Sequence, residues 1–301
     1  MARIAWLKRT VRRSLVSRLA RYHSRRGVFA VEIRSSVGLG AKLEWCLEIM
    51  AYCHDHDLIP QFRFSYPEAR EPVDYFASLF SIRPRTPHEL QPRFVTISSI
   101  IELDLGRDYD RLLTIQLANQ LITKYLVVRE DVAREVDRFC DQHFAGRRVV
   151  GVHYRGTDKV QESPAISYDR VTRNVALYLE QYPNTDCVFV ATDDANFLDH
   201  LQSKPLGRAI VWRDDSFRSR DGQSIHGSPY TDKYAVNRDA LINCLLLSRC
   251  EALLKTASIL SGWSKLFNPR LPVVMLNQPH DGLLWFPERA LIAQNLFEPV
   301  R

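Results

Sequence analysis

Four consecutive apolar residues, Val149-Val150-Gly151-Val152, run directly into the polar segment His153-Tyr154-Arg155-Gly156-Thr157-Asp158-Lys159. A short apolar run bounded in this way reads as a buried strand of a parallel sheet. In open α/β sheets, ligands collect beyond the carboxyl ends of such strands. Two further runs end alike: Cys187-Val188-Phe189-Val190-Ala191 meets Thr192-Asp193-Asp194, and Ala252-Leu253-Leu254-Lys255 meets Thr256-Ala257-Ser258. The helical patterns between them, 168–182 and 234–249, have the length of a crossover. Right-handed βαβ units leave successive strands parallel, so the three polar ends are expected on one sheet edge. The alternative is three surface loops holding unrelated caps and salt bridges.

Strands at 148–154, 187–191, 209–213, 252–255 and 271–277, alternating with helices, predict a doubly wound α/β domain over 147–301. Gly146 with Arg147 and Arg148 marks the expected boundary. The first half, 27–146, reads as a looser α/β partner. It has a strand at 28–33, a turn over Ser35–Gly40, a helix from 41 to about 56, strands at 58–65 and 94–100, and helices over 112–126 and 129–144. A chain of 301 residues with 46% hydrophobic content can bury two such cores, with a cleft between them for two substrates. Gly38 and Gly40 stand at a strand-to-helix turn, where ligand contact and plain turn chemistry are both open readings. The third glycine of a dinucleotide fingerprint is missing.

The net charge of +6 is unevenly placed. Nine of the 41 basic residues and no acidic one fall in residues 1–26, leaving 32 basic against 35 acidic in the rest. Ile4, Leu7, Val11, Leu15 and Leu19 recur there at helical spacing, which predicts a basic amphipathic helix. Its apolar stripe suits an anionic membrane surface, or packing on the body or a second subunit. Nucleic acid is not expected as a partner, since exposed aromatics do not interleave with the basic residues. The six cysteines are scattered without framework spacing, and neither a signal peptide nor a membrane-spanning run is evident. The expected location is cytoplasmic, with peripheral attachment at the inner face of the membrane if the basic helix binds lipid.

His153-x-Arg155-x-x-Asp158, continued by Lys159, resembles the first motif of the fucosyltransferases that include nodulation α1,6-fucosyltransferases, animal core-fucosylating enzymes and protein O-fucosyltransferases. Thr192-Asp193-Asp194 is similar to the second motif. Asp239 to Asn243 through Leu246-Leu247-Ser248-Arg249-Cys250, followed by Lys255-Thr256-Ala257-Ser258, resembles the third. The resemblance covers roughly 147–278. It implies a GT-B fold of two Rossmann-like domains facing a cleft, an acceptor-side N-terminal domain and a nucleotide-sugar C-terminal domain. It further implies inverting transfer from GDP-L-fucose with no required metal; the expected acceptor is a glycan or lipid-linked glycan, the basic N-terminal helix suiting a membrane-associated one, and no cofactor beyond the donor is expected.

A departing diphosphate builds negative charge, and a preorganised cation there lowers the barrier; Arg155 is the first candidate, its fixed fork suiting phosphate. Thr256 and Ser258 precede an expected helix at Ile259, so their hydroxyls and adjacent N–H groups suit phosphate oxygens or, equally, capping. His153 is a candidate contact to base or ribose, or a core histidine. Asp158 suits orienting Arg155 or Lys159, while Asp193 and Asp194 match nucleotide-contacting residues of the family. Glu162 aligns, with a one-residue shift, with a glutamate that deprotonates the acceptor, or is a solvated loop carboxylate. Two departures stand out: Arg155-Gly156 replaces a pair of arginines found in core-fucosylating enzymes, and Asn243 stands where an acidic residue is common. Asn offers a base edge only one acceptor beside its donor, which keeps another nucleotide sugar open. A non-catalytic nucleotide-sugar-binding scaffold is the alternative from another class.

Overall fold

The computed structural model describes residues 2–24, 27–68, 73–85, 91–156, 162–223, 225, 232–280 and 282–293. Two compact units, 1–129 and 130–301, divide the chain.

In the first unit, α1 (Ala2–Ser24) leads to β1 (Val28–Arg34), α2 (Leu39–Asp55) and β2 (Ile59–Ser65). Then come α3 (Tyr75–Leu79), β3 (Phe80–Ile82), β4 (Val95–Ile97), a 3-10 turn at Ile100–Glu102, α4 (Tyr109–Leu112), α5 (Ile115–Tyr125) and β5 (Leu126–Val128). β2, β1 and β4 form a parallel sheet in that order, while β3 and β5 pair antiparallel. Val31 and Ile33 of β1 are fully buried, as are Leu43, Leu47 and Met50 of α2. Lys42 is buried with them; its Nζ donates to the Ser65 carbonyl at 3.3 Å and stands 3.8 Å from the Tyr66 ring centre. Burial lowers its pKa to about 8, because the charged form loses water.

The second unit runs α6 (Glu130–His143), β6 (Val149–Tyr154), α7 (Tyr168–Gln181), β7 (Cys187–Thr192), α8 (Ala195–Gln202) and β8 (Ala209–Val211). It continues with α9 (Lys233–Ser248), β9 (Ala252–Lys255), α10 (Ile259–Phe267), β10 (Val273–Met275) and α11 (Glu288–Ala293). All five strands are parallel, in the order β10-β9-β6-β7-β8. The chain winds outward from β6 to β8 and then returns to the other side of β6, so strand order reverses between β6 and β9. That reversal is where doubly wound sheets open a ligand crevice. On one face Val150, Val152, Val188, Val190 and Leu254 pack with Val171, Val175 and Phe197. On the other, Phe189 meets Phe139 and Phe144, with ring centres 5.6 and 5.4 Å away. Gly151 is required by the approach of α9, because a Cβ there would lie 2.9 Å from Leu247 Cδ2 and 3.1 Å from Cys250 Sγ.

The unit boundary falls at 129/130, not at the expected 146/147. α6 carries Phe139 onto β7 and Glu135 onto Arg213 and Arg238, and these contacts join it to the second sheet. Residues 1–26 do not stand apart either: α1 is part of the first unit, burying Val16, Ser17 and Ala20. Trp263 and Phe286 are core, as their size suggests, but Trp285 is 41% exposed.

Glu48 of α2 makes the stability of the first unit pH-dependent. Burial pushes its carboxyl up to about 7, with the negative Asp110 and Asp108 adding to the shift. The folded state therefore keeps a proton that the unfolded chain releases above the ordinary 4.5. The stabilisation is whole below pH 4.5 and lost as pH rises through 7. Glu48→Gln should match the wild type at pH 4 and be more stable at pH 8 by about 3 kcal/mol; thermal melts at the two pH values read the difference.

Candidate functional site

Strand β6 ends at Tyr154, and the next two backbone N–H groups leave the ladder. That of Arg155 donates to Thr256 Oγ1 at 2.8 Å, and that of Gly156 to Asp193 Oδ1 at 3.2 Å. The second Asp193 oxygen meets Arg155 Nε at 3.1 Å, with both side chains largely enclosed. Thr256 N in turn donates to the His153 carbonyl at 3.0 Å. The ends of β6, β7 and β9 are thus tied together, and the Arg155 guanidinium is held by a carboxylate from the neighbouring strand. Such pairing fixes the orientation of a planar cation.

A cavity open to solvent lies at this edge. His153, Arg155, Thr192 and Asp193 line it from the sheet; Val236, Asp239, Ala240 and Asn243 line it from α9. Leu260 and Ser261 bring in the first turn of α10, and Phe217 and Ile225 come from the segment after β8.

Four of the sequence candidates, His153, Arg155, Asp193 and Asn243, meet here. Thr256 accepts from Arg155 N, which leaves its hydroxyl proton for a further acceptor. Ser258 is the N-cap of α10, yet its side chain makes no capping bond. Its N–H and that of Ala257 are already taken by Glu288 Oε1 at 2.6 Å and Asn277 Oδ1 at 2.7 Å. Phosphate contact through these two N–H groups is therefore corrected: what α10 offers a ligand is its first turn, Leu260 and Ser261. Asp194 is not among the lining residues. Its carboxylate caps α8, accepting from Asn196 N at 2.9 Å and Phe197 N at 3.3 Å, and takes the Tyr168 hydroxyl at 2.6 Å. A carboxylate accepting two N–H groups and a hydroxyl holds structure, so its expected nucleotide contact gives way to a cap. Asp158 and Lys159 lie outside the described residues. Glu162 lies just past them, its carbonyl accepting from His280 N at 2.8 Å. Gly38 and Gly40 belong to the first unit: Gly38 is the N-cap of α2 with φ −66°, and Gly40 is buried in its first turn.

Several contributors are not legible as such in the chain. Asp239 accepts from Arg213 Nη1 at 2.5 Å, Ser216 Oγ at 2.9 Å, Phe217 N at 3.3 Å and Asn243 Nδ2 at 3.2 Å. Burial raises its pKa against the pull of Arg213. It fastens the segment after β8 to α9 and so places Phe217 at the cavity. Its place at the head of the third motif, one helical turn before Asn243, marked the position but not this fastening role. Beneath the 256–258 loop, Lys255 Nζ pairs with Glu288 of α11, and both are buried. Gly156 is explained by packing: a Cβ would stand 2.4 Å from Tyr154 Cε1 and 2.8 Å from Asp194 Oδ2.

The model of the family described as Nodulation protein Z (NodZ) matches residues 114–293. No curated protein matches the chain. Among solved structures, NodZ α1,6-fucosyltransferase soaked with GDP-fucose aligns with a TM-score of 0.51 at 16% identity, over 83% of this chain and 94% of that one. Fucosyltransferase NodZ from Bradyrhizobium aligns at 0.51 and 15%, over 85% and 96%. A mutant of Arabidopsis thaliana FUT1 in complex with GDP aligns at 0.50 and 11%, over 88% and 74%. The fold is that of the GT-B fucosyltransferases.

The Tyr154 ring cannot yield to a side chain at position 156. It stacks on Phe197 at 4.2 Å, and its hydroxyl donates to the Ile166 carbonyl at 3.2 Å. Gly156→Ala should therefore cost about 1–3 kcal/mol by overpacking. Urea unfolding measures the loss, and a ligand of the cavity should bind the variant more weakly because the shifted backbone loosens the Gly156 N–H that holds Asp193.

Proposed function

Since the chain belongs to the Nodulation protein Z (NodZ) family, a family of fucosyltransferase-type glycosyltransferases, we propose that it transfers L-fucose from GDP-fucose, with inversion, to a glycan or lipid-linked glycan. The observation that carries this reading is the Arg155 guanidinium, fixed by Asp193 in the cavity at the sheet reversal. The donor is carried over from the NodZ structures soaked with GDP-fucose and co-crystallised with GDP.

In the proposed reaction the bond between the sugar C1 and the β-phosphate oxygen breaks, and its electron pair goes to the departing GDP. Arg155, with the Thr256 hydroxyl beside its backbone, stabilises that growing charge from a site already oriented for it. Arg155 supplies the positive charge for this step, which supports a reaction that proceeds without a metal. The acceptor hydroxyl attacks C1 from the opposite face and gives its proton to a carboxylate, for which Glu162 is the proposed base. His153 and Phe217, which both line the cavity, are the proposed contacts to the nucleoside, Phe217 by stacking on the base. Asn243 commits its amide donors to Asp239 and to Ser216 Oγ at 3.1 Å, so its carbonyl oxygen remains to accept from a base. Guanine supplies such donors at N1 and N2. Uracil supplies one as well, and this favours, as a second reading, a transferase with another nucleotide sugar. The six cysteines are all free thiols, which supports a reducing, cytoplasmic setting.

A thermal-shift panel of GDP, UDP, ADP, GDP-fucose and GDP-mannose, with and without EDTA, tests the donor through linkage to stability. Selective stabilisation by GDP species, unaffected by EDTA and lost in Arg155→Ala, is expected; selective stabilisation by UDP would replace the donor. With a competent acceptor, Arg155→Ala should lower the transfer rate about 10²- to 10³-fold. Glu162→Gln should abolish transfer while GDP still binds. GDP binding without turnover on any glycan, in the wild type too, would make the chain a scaffold.

A further inference from the structure

The basic N-terminal helix is attached to the first unit by the face that its sequence pattern does not advertise. α1 packs on β1, β4 and the 3-10 turn, burying Val16, Ser17 and Ala20. Arg12 Nη2 lies 3.3 Å from Glu102 and Arg13 Nη2 lies 2.5 Å from Asp104. The apolar stripe faces the other way: Val11 is 61% exposed, Leu15 57%, Leu19 40% and Tyr22 61%. At about 100° per residue, these four positions share an arc of roughly 80°, on the side away from the buried residues. Arg12 and Arg18 border the arc on its two sides. Body packing, one of the three roles open to this stripe, is thus taken by a different face.

Four large apolar side chains in one exposed row are more than scattered surface hydrophobics. The charge around them decides what covers them. Residues 1–26 carry nine cations and no anion, while the rest of the chain has more acidic than basic residues. A second copy would bring another cationic helix against the first. A surface of phosphates, with acyl chains just beneath, satisfies both the charge and the apolar row.

We propose that α1 seats the protein on an anionic lipid bilayer. The helix lies in the plane of the interface, Val11, Leu15, Leu19 and Tyr22 enter between the headgroups, and Arg18 meets their phosphates. α1 is thereby the element that holds the first unit at the membrane, where a lipid-linked acceptor would be found. The docking itself does not depend on which sugar is transferred.

Vesicle flotation of the full chain tests this, using phosphatidylcholine vesicles with and without about 30 mol % phosphatidylglycerol, at about 0.1 and 0.5 M NaCl. The expected result is at least about ten-fold more protein bound to anionic than to neutral vesicles, and loss of most of that binding at high salt. Leu15→Glu with Leu19→Glu should abolish flotation, and Arg18→Glu should reduce it several-fold. These residues are exposed, so the variants should keep the wild-type melting temperature and the same shift with GDP. Equal binding to neutral vesicles, or binding unchanged in the double variant, would overturn the proposal. So would a wild-type dimer that ignores vesicles and falls to monomer on Leu15→Glu with Leu19→Glu, which would assign the row to a second copy. Absence of a GDP shift in the wild type would instead count against the donor reading, leaving the flotation result intact.

Discussion

Where β6 leaves its sheet, two backbone N–H groups, those of Arg155 and Gly156, lose their ladder partners in an enclosed place. An unmet buried N–H costs as much as a lost hydrogen bond, and here both are met by side chains from the flanking strands, Thr256 after β9 and Asp193 after β7. The setting of Arg155 and Asp193 follows from that closure. Asp193 can serve Gly156 N with one oxygen only because the other is turned to Arg155 Nε. The guanidinium is thus oriented by a group that the backbone itself holds in place. Because the sheet is parallel and its order reverses beside β6, these ties gather three strand ends at one edge without any contribution from a long loop.

A second closure lies below the first. Lys255, at the last position of β9, has no exposed surface, and its charge is answered by Glu288 from α11. The same Glu288 oxygen takes Ser258 N. A buried pair of this kind contributes little net stability, but removing one partner strands the other. Its consequence here is positional. The loop bearing Thr256 is anchored to α11 from beneath, so the hydroxyl that closes Arg155 N has a fixed height above the sheet.

Much of the second unit was legible because buried parallel strands write themselves as apolar runs and their polar ends stand next in sequence. The expected strands at 148–154, 187–191 and 252–255 differ from the observed ones by at most one residue. His153, Arg155, Asp193 and Asn243 do share a cavity. What could not be read depends on distant packing. α6 belongs to the second sheet through Phe139 and Glu135, and no local pattern says which sheet an amphipathic helix will choose. Asp194 looks like its neighbour Asp193, but a one-residue step at a strand end turns the carboxylate from the crevice to the start of α8. On α1 the periodicity was sound but left open which face meets the body, and that face is the one carrying Val16, Ser17 and Ala20, which are buried. Gly156 looked like a missing cation; the nearness of Tyr154 and Asp194 shows that no side chain fits there.

Asn243 admits the same kind of explanation. Asp239 and Asn243 are one turn apart on α9, and Asp239 is already a largely buried carboxylate that Arg213, Ser216 and Phe217 N hold in place. An acid at position 243 would set a second negative charge against it on the same helix face, where like charges repel and burial offers little screening. It would also lose the two hydrogen bonds that Asn243 Nδ2 gives to Asp239 and Ser216. The amide is therefore what the neighbouring carboxylate permits: it neutralises the local geometry with its donors and keeps one carbonyl oxygen for the ligand. A departure from the usual acidic residue at this point follows from how α9 secures the segment carrying Phe217, and it leaves the cavity able to accept a base N–H through one oxygen instead of two.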